Sequence, residues 1–408
     1  MRFLPGTDAI VLAALLGAAG FSAAEAGSAG DASRAVALAP VPRPVVHVEE
    51  PRALWVVRDA MVSARSIDTF VADAKRAGIT DLFVQVRGRG DAYYLSELAP
   101  PPDALERSWK RHGRFDPLTH AVAAAHAEGI RVHAWINVCL AAGFGFSDAR
   151  NVTRTHPEWV AVDPRGTPMT HMPESRIRDA LTEGAYLDPA EPGAAAHLVA
   201  VCRELARNYA LDGLHLDYVR YPHMDVGYGE AARSGFRRLH RVDPLERAAN
   251  RDGFRLERGA PGLARLDRAW SLYRAEKITD LVRGIRMTLR EERPGMTLSA
   301  AVKPDREGAL SRYGQDWVRW VDEDLVDVVA PMMYSPSMAT MRKHVAAIAS
   351  VVPPERVWAG IAVYNQSLDA AAAKIDAARH AGMGGISIFS YNSVPGGGTG
   401  LAKLTRSR

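Results

Sequence analysis

Eight short β-like runs, separated by amphipathic helical patterns, recur from Arg52 almost to the carboxyl end and leave few folds open. They are ALWVVR (53–58), DLFVQVR (81–87), RVHAWINV (131–138), GLHLDYV (213–219), TLSAAVK (297–303), DVVAPMMY (327–334), VWAGIAVY (357–364) and GISIFSYN (385–392). Helical stretches such as SIDTFVADAKRAG, PLTHAVAAAHAEG and LDAAAAKIDAARHAG end at Gly78, Gly129 and Gly382, where a left-handed cap favours glycine. Strands that alternate with helices build parallel sheets, and eight such units close into a (β/α)8 TIM barrel. A doubly wound open sheet would need a glycine-rich phosphate turn, but RGRGD (87–91) has the wrong spacing and leads into no helix. PGGGTG (395–400) is expected to be a loose turn, because little chain remains behind it to form a helix.

The barrel is expected over 51–395, with a tail over 396–408. Ahead of it, Arg2, an apolar run from Ala9 to Ala18, and Ala24 and Ala26 have the pattern of a secretory leader over 1–26. Residues 27–50, rich in Ala and Pro, have the composition of a flexible lead-in. The expected location is therefore secreted or periplasmic, with no lasting membrane anchor after cleavage. Two cysteines, Cys139 and Cys202, make no disulfide framework. The net charge of +4 is spread along the chain, which argues against a nucleic-acid partner.

Along a barrel strand, side chains point alternately to the helices and to the lumen. The apolar set Leu82, Val84, Val86, Val132, Ala134, Ile136, Leu214, Leu216 and Tyr218 suits the helix side. The opposite parity then faces inward, with Gln85, Arg87, His133, Trp135, Asn137, His215, Asp217 and Lys303. These polar groups fall late in their strands and converge on the carboxyl mouth, where barrel enzymes build their sites. Two long connections, 139–190 and 222–268, leave the same face.

The carboxylates Asp217 and Asp305 suit a glycosidase, one stabilising or attacking the sugar cation while the other protonates the leaving oxygen. Asp217 is expected to stay ionised beside Arg87 or Lys303, and placement on adjacent strands points to retention. Trp135, Tyr93, Tyr94, Tyr221, Tyr334, Tyr364 and Tyr391 offer sugar platforms. Asn137 and Asn392 can orient hydroxyls, and Arg58, Arg87 and Arg220 can meet carboxylates or substrate. A structural ion pair at Asp217 is the plain alternative. Metal hydrolysis through His133, His215 and Asp217 is the competing chemistry, but it lacks HExxH spacing and the histidines lie a layer too deep. No G-x-S-x-G turn supports a nucleophilic serine.

The segments RALWVVRD, FVQVRGRGDAYYLSE, HAWINV, HPEWVAVDPRG, YLDPAEPG, DGLHLDYVRYP, GQDWVRWV, VVAPMMYS and GISIFSYN resemble the glycosyl hydrolase-like 10 family from about Arg52 to Asn392. The resemblance implies a TIM barrel in exported bacterial proteins that hydrolyses glycan, with characterised relatives acting on cell-wall strands stripped of peptide. It carries the family's candidate catalytic acid onto Asp217, its VQVR onto Gln85 and Arg87, and its HAWIN onto His133, Trp135 and Asn137. Val219 and His215 depart from the chitinase pattern at the same strand, so substrate-assisted chitinase chemistry is not expected. The expected protein is a monomer acting on a polysaccharide without cofactor or metal. A non-catalytic glycan-binding barrel is the alternative.

Overall fold

The computed structural model describes residues 50–405 apart from 146, 147 and 250, so the leader and lead-in expected ahead of Glu50 lie outside the described residues. Ten strands form: β1 (Arg52–Val56), β2 (Asp81–Arg87), β3 (Arg131–Asn137), β4 (Leu140–Gly143), β5 (Gly184–Tyr186), β6 (Gly213–Asp217), β7 (Thr297–Val302), β8 (Val328–Pro331), β9 (Trp358–Ala362) and β10 (Gly385–Phe389). Eight are parallel neighbours in the order β8-β7-β6-β3-β2-β1-β10-β9. Bridges Val329↔Val357 and Met332↔Gly360 bring β9 back to β8 and close the ring. All eight expected runs are barrel strands.

The inner and outer faces follow the alternation. Leu82, Val84, Val132, Ala134, Ile136, Leu214 and Leu216 join the core between strands and helices. Trp55, Phe83, Trp135, Ala301, Val328 and Trp358 fill the lumen. His215 belongs to this plug: its ring stacks on Phe83 at 4.0 Å, meets Trp55 edge-on at 4.4 Å, and its Nδ1 hydrogen-bonds Ser299 Oγ. It is fully buried, and burial pushes its pKa well down, so it stays neutral and serves packing rather than substrate.

At the amino ends of the strands a polar layer closes the barrel floor. The buried Asp81 carboxylate accepts hydrogen bonds from Arg131 Nε and Nη2 at 2.7 Å and lies 2.9 Å from His133 Nε2. Burial alone would raise its pKa, but His133, Arg131 and Thr80 hold it at about 2. An ordinary aspartate titrates near ~3.9 in the unfolded chain. The stabilisation is therefore complete above about pH 4 and disappears as pH falls through about 2. Asp81→Asn is expected to cost roughly 2–3 kcal/mol at pH 7. Urea unfolding at pH 7 and again near pH 2 checks this, since the gap between variant and parent should shrink in acid.

Both cysteines are free and buried, and three features depart from the sequence-based expectations. The connection after β3 carries an antiparallel pair, β4 with β5. The glycines of the carboxyl tail open a helix, Gly397–Thr405, which buries Leu401 and Leu404. A Cβ at Gly398 would lie 2.2 Å from the Asp73 carboxylate, so glycine lets that acid approach the first turn of the helix. Lastly, a register shift between Gln85 and Arg87 aligns Arg87 with the helix-facing Ile136. Arg87 thus leaves the lumen. It is 1% exposed, donates to the carbonyls of Asn137 and Val138, and has Tyr94, Asp91 and Cys202 as its charge neighbours.

Candidate active site

Asp217 ends β6 at the mouth, level with Asn137 of β3. Its Oδ1 accepts the Tyr218 amide at 2.7 Å, and among the described residues it has no ion-pair partner within 4 Å. Burial pushes its carboxyl up to about 6; Arg220, the Tyr218 amide and Lys303 pull the other way, and Glu183 adds to the rise. Burial thus outweighs the cations at this carboxyl, which was expected to stay ionised beside Arg87 or Lys303. Arg87 faces elsewhere, and Lys303 and Arg220 are near enough to bear on Asp217 without neutralising it.

Tyr218 explains how two carboxylates meet. It adopts a left-handed backbone, φ 49°, which is uncommon outside glycine and concentrates at functional sites. Tyr218 still packs against the core between strands and helices, and the turn carries its hydroxyl to Glu183. Its amide holds Asp217 while its hydroxyl donates to Glu183. Glu183 is exposed and immediately precedes β5. A Cβ at Gly184 would sit 1.9 Å from the Ala142 carbonyl, so only glycine lets β5 press onto β4 and bring its neighbour Glu183 over the mouth.

Around this pair the structure gathers most of the expected residues. Lys303 and Arg220 share the ring of Tyr313, each 5.3 Å from its centroid, and Arg220 also covers Tyr218 at 4.5 Å. Burial and the nearby Arg220 lower the Lys303 pKa. Across the mouth, Trp135 Nε1 donates to Asn137 Oδ1 at 3.1 Å, and Asn137 Nδ2 donates to the Gly88 carbonyl at 3.0 Å. Gln85 Oε1 accepts from Arg58 Nη1 at 3.0 Å. The Arg58 stem passes where a Cβ at Gly88 would lie, 2.8 Å from its Cδ. Tyr93 is buried against Arg58, behind the lining rather than on it. Asn392 Oδ1 accepts the Val57 amide at 2.9 Å. Tyr334 stacks on Phe389 at 5.2 Å with Tyr364 edge-on, and Tyr364 is 52% exposed, which presents an aromatic face to solvent.

Besides Arg87, His215 and Tyr93, two further expected residues are taken up by structural partners of their own. Asp305 is the N-cap of the helix Arg306–Tyr313, its carboxylate accepting the Gly308 amide, and it is exposed. The acid acting on Asp217 is Glu183 in its place. Tyr221 is 1% exposed, donates its hydroxyl to buried Asp188, and lies beneath Arg274 of the helical stretch Arg251–Glu292, which is broken by a kink at Gly259. Among the described residues no group of three His, Cys, Asp or Glu side chains is arranged to hold a metal ion, and no helix is long and apolar enough to cross a membrane.

Residues 50–378 match the Glycosyl hydrolase-like 10 family. The chain belongs to that family. "Glycosyl hydrolase DigH" of Escherichia coli strain K12 is 25% identical over 317 residues, 71% of this chain and 64% of that protein. "Glycosyl hydrolase YngK" of Bacillus subtilis strain 168 is 21% identical over 282 residues, 64% of this chain and 47% of that protein. The chain thus spans less than two thirds of the length of either curated relative. The PgaB (BpsB) glycoside hydrolase domain of Bordetella bronchiseptica superposes with a TM-score of 0.66 at 15% identity, over 88% of this chain and 99% of that one, which shows a shared fold. This member of the family carries Asp217 at the end of β6 and Glu183, the carboxylate that acts on it, directly ahead of β5.

Proposed function

We propose that this chain is a glycoside hydrolase that cleaves O-glycosidic bonds of an envelope polysaccharide, a peptidoglycan-type or other amino-sugar glycan. Its family and the names of its curated relatives support hydrolysis of glycan. The leader-like residues 1–26 support action after export. The observation that carries the reading is Asp217: a carboxyl at a barrel mouth, raised to about 6 by burial and left without an ion-pair partner.

When the environments of two carboxyls differ, the raised one is suited to give a proton and the exposed one to act as an anion. Asp217 therefore protonates the leaving oxygen. Glu183, steadied through one oxygen by the Tyr218 hydroxyl, takes a proton from the attacking water. The retention expected from Asp217 and Asp305 loses its second carboxylate. The new pair is held by opposite ends of one tyrosine, its amide and its hydroxyl, and an acid and a base held apart in this way correspond to the inverting arrangement, in which a water stands between them. Inversion is the proposed outcome.

The test is a pH profile on denuded peptidoglycan and amino-sugar oligomers, with products followed by mass spectrometry and their first-formed anomer by NMR. A proton donor must be protonated, so kcat/KM is expected to fall about tenfold per unit above roughly pH 6. A rate that instead climbs through pH 6 would make Asp217 an ionised nucleophile. Glycan binding without any new reducing ends would make the protein a non-catalytic glycan-binding barrel.

A further inference from the structure

Glu183 is held at two levels. Its side chain meets the Tyr218 hydroxyl, while its backbone is set by β5, whose ladder to β4 is irregular between Leu140 and Ala142. A two-stranded pair as short as this does not fix its own position. Glu183 stands directly ahead of β5 and Asp188 lies just past its far end, so whatever anchors Asp188 also anchors Glu183.

The anchor is Tyr221, which follows Asp217 out of β6. Its hydroxyl donates to Asp188 Oδ1 at 2.9 Å, and the same oxygen accepts the Ala190 amide at 3.0 Å, which orients the carboxylate. Among the described residues this hydroxyl is the one side-chain hydrogen-bond partner of buried Asp188. The main chain reinforces the link: Leu187 donates to the Cys139 carbonyl at 2.9 Å, and the Cys139 amide to the Tyr218 carbonyl at 3.1 Å. The Tyr221 ring has little freedom to aim elsewhere. Its own amide donates to the Tyr313 carbonyl at 2.9 Å, and Arg274 lies over the ring at 4.2 Å. Gly227 and Gly314, with φ of 98° and 71°, press on the ring where no side chain would fit; a Cβ at Gly227 would come 2.7 Å from Tyr221 Cε1. Four segments of chain therefore meet at one buried tyrosine, and its hydroxyl points at the strand that carries Glu183.

We propose that Tyr221 is a positioning residue for the reaction: its bond to Asp188 sets where Glu183 stands relative to Asp217. The catalytic consequence rests on the hydrolase reading, whereas the tie itself does not. Tyr221 touches no reacting atom and acts only through the strand between Asp188 and Glu183.

Tyr221→Phe keeps the ring and removes only the hydroxyl. Its kcat is expected to fall about tenfold with KM within a few-fold of the parent, the scale of one hydrogen bond to a charged group. In a Glu183→Gln background the same change should lower kcat by less than about twofold, because the carboxylate it positions is already gone. Asp188→Ala should reproduce the loss, whereas Asp188→Asn, whose amide oxygen still accepts the hydroxyl, should keep most of the parental rate. A residue that merely holds the fold together would lower kcat by equal factors in both backgrounds, and that result would overturn the proposal.

The tie is read without turnover by spin-label distance measurement. One label goes on Leu181→Cys, exposed in the loop ahead of Glu183, and the other on Lys343→Cys, exposed on the helix Met338–Ala349. Both native thiols are buried, so labelling is confined to the introduced pair. The distance distribution is expected to broaden or shift in Tyr221→Phe. Superimposable distributions in parent and variant would overturn the proposal whatever the kinetics show. A changed distribution in a protein that hydrolyses no glycan would sink the hydrolase reading and leave the tie standing.

Discussion

Asp217→Asn is expected to lower kcat on the glycan substrate by about 10³-fold, with KM within a few-fold of the parent, while making the folded protein more stable. Both effects come from one placement. The side chain is isosteric, so the Tyr218 amide keeps its acceptor, but no proton remains to hand to the leaving oxygen. The stability effect follows from the raised pKa. An acid whose pKa is raised to about 6 on folding, from near ~3.9 unfolded, destabilises the native state wherever the unfolded chain is already ionised. That penalty is absent below about pH 4, grows between pH 4 and 6, and is constant above. Asp217 is 5% exposed, so screening by solvent discounts it little, and the penalty at pH 7 is on the order of 3 kcal/mol. Denaturant unfolding of parent and variant at pH 3.5 and pH 7.5 checks the stability part: the curves should coincide in acid and separate at neutral pH, with the variant more resistant. A variant less stable at neutral pH would mean that Asp217 is a paired structural anion. The enzyme reading would then lose its proton donor.

The alternation of side chains made the barrel and its polar mouth legible because a period of two is a local property. Gln85, Trp135, Asn137, Asp217 and Lys303 needed only strand membership to be placed. Legibility ended where the backbone left that period. The register shift beside Val86 turned Arg87 outward, and the left-handed turn at Tyr218 carried its hydroxyl to Glu183. Neither event has a sequence marker as plain as glycine or proline. Asp305 was different, since its helix-capping role was written locally: an aspartate before a helical pattern, three residues ahead of a glycine whose amide it accepts. Glu183 was beyond local reasoning. It meets Tyr218 across 35 residues of sequence, through a strand pair inside a long connection. The usable signal was Gly184 directly behind it, a small residue ahead of the short apolar run AYL (185–187), which marks close backbone approach at a strand edge.

Glu183→Gln is expected to lower kcat by about 10²–10⁴-fold, comparable to the loss at Asp217, because the attacking water loses its proton acceptor. The neutral amide can still accept the Tyr218 hydroxyl, so the loop should stay over the mouth and KM should change little. Tyr218→Phe separates position from chemistry. It leaves the backbone amide that holds Asp217 and removes only the hydroxyl that steadies Glu183. Its kcat should fall by roughly tenfold, the scale of one hydrogen bond to a charged group, with the descending limb near pH 6 unmoved. Combining it with Glu183→Gln should cost little more than Glu183→Gln alone, since the hydroxyl acts through that carboxylate. Additive losses would mean that Tyr218 touches substrate or water independently. Parental turnover by Glu183→Gln would send the search for the second acid back along the mouth. The tyrosine turn would then be a device for raising Asp217 alone.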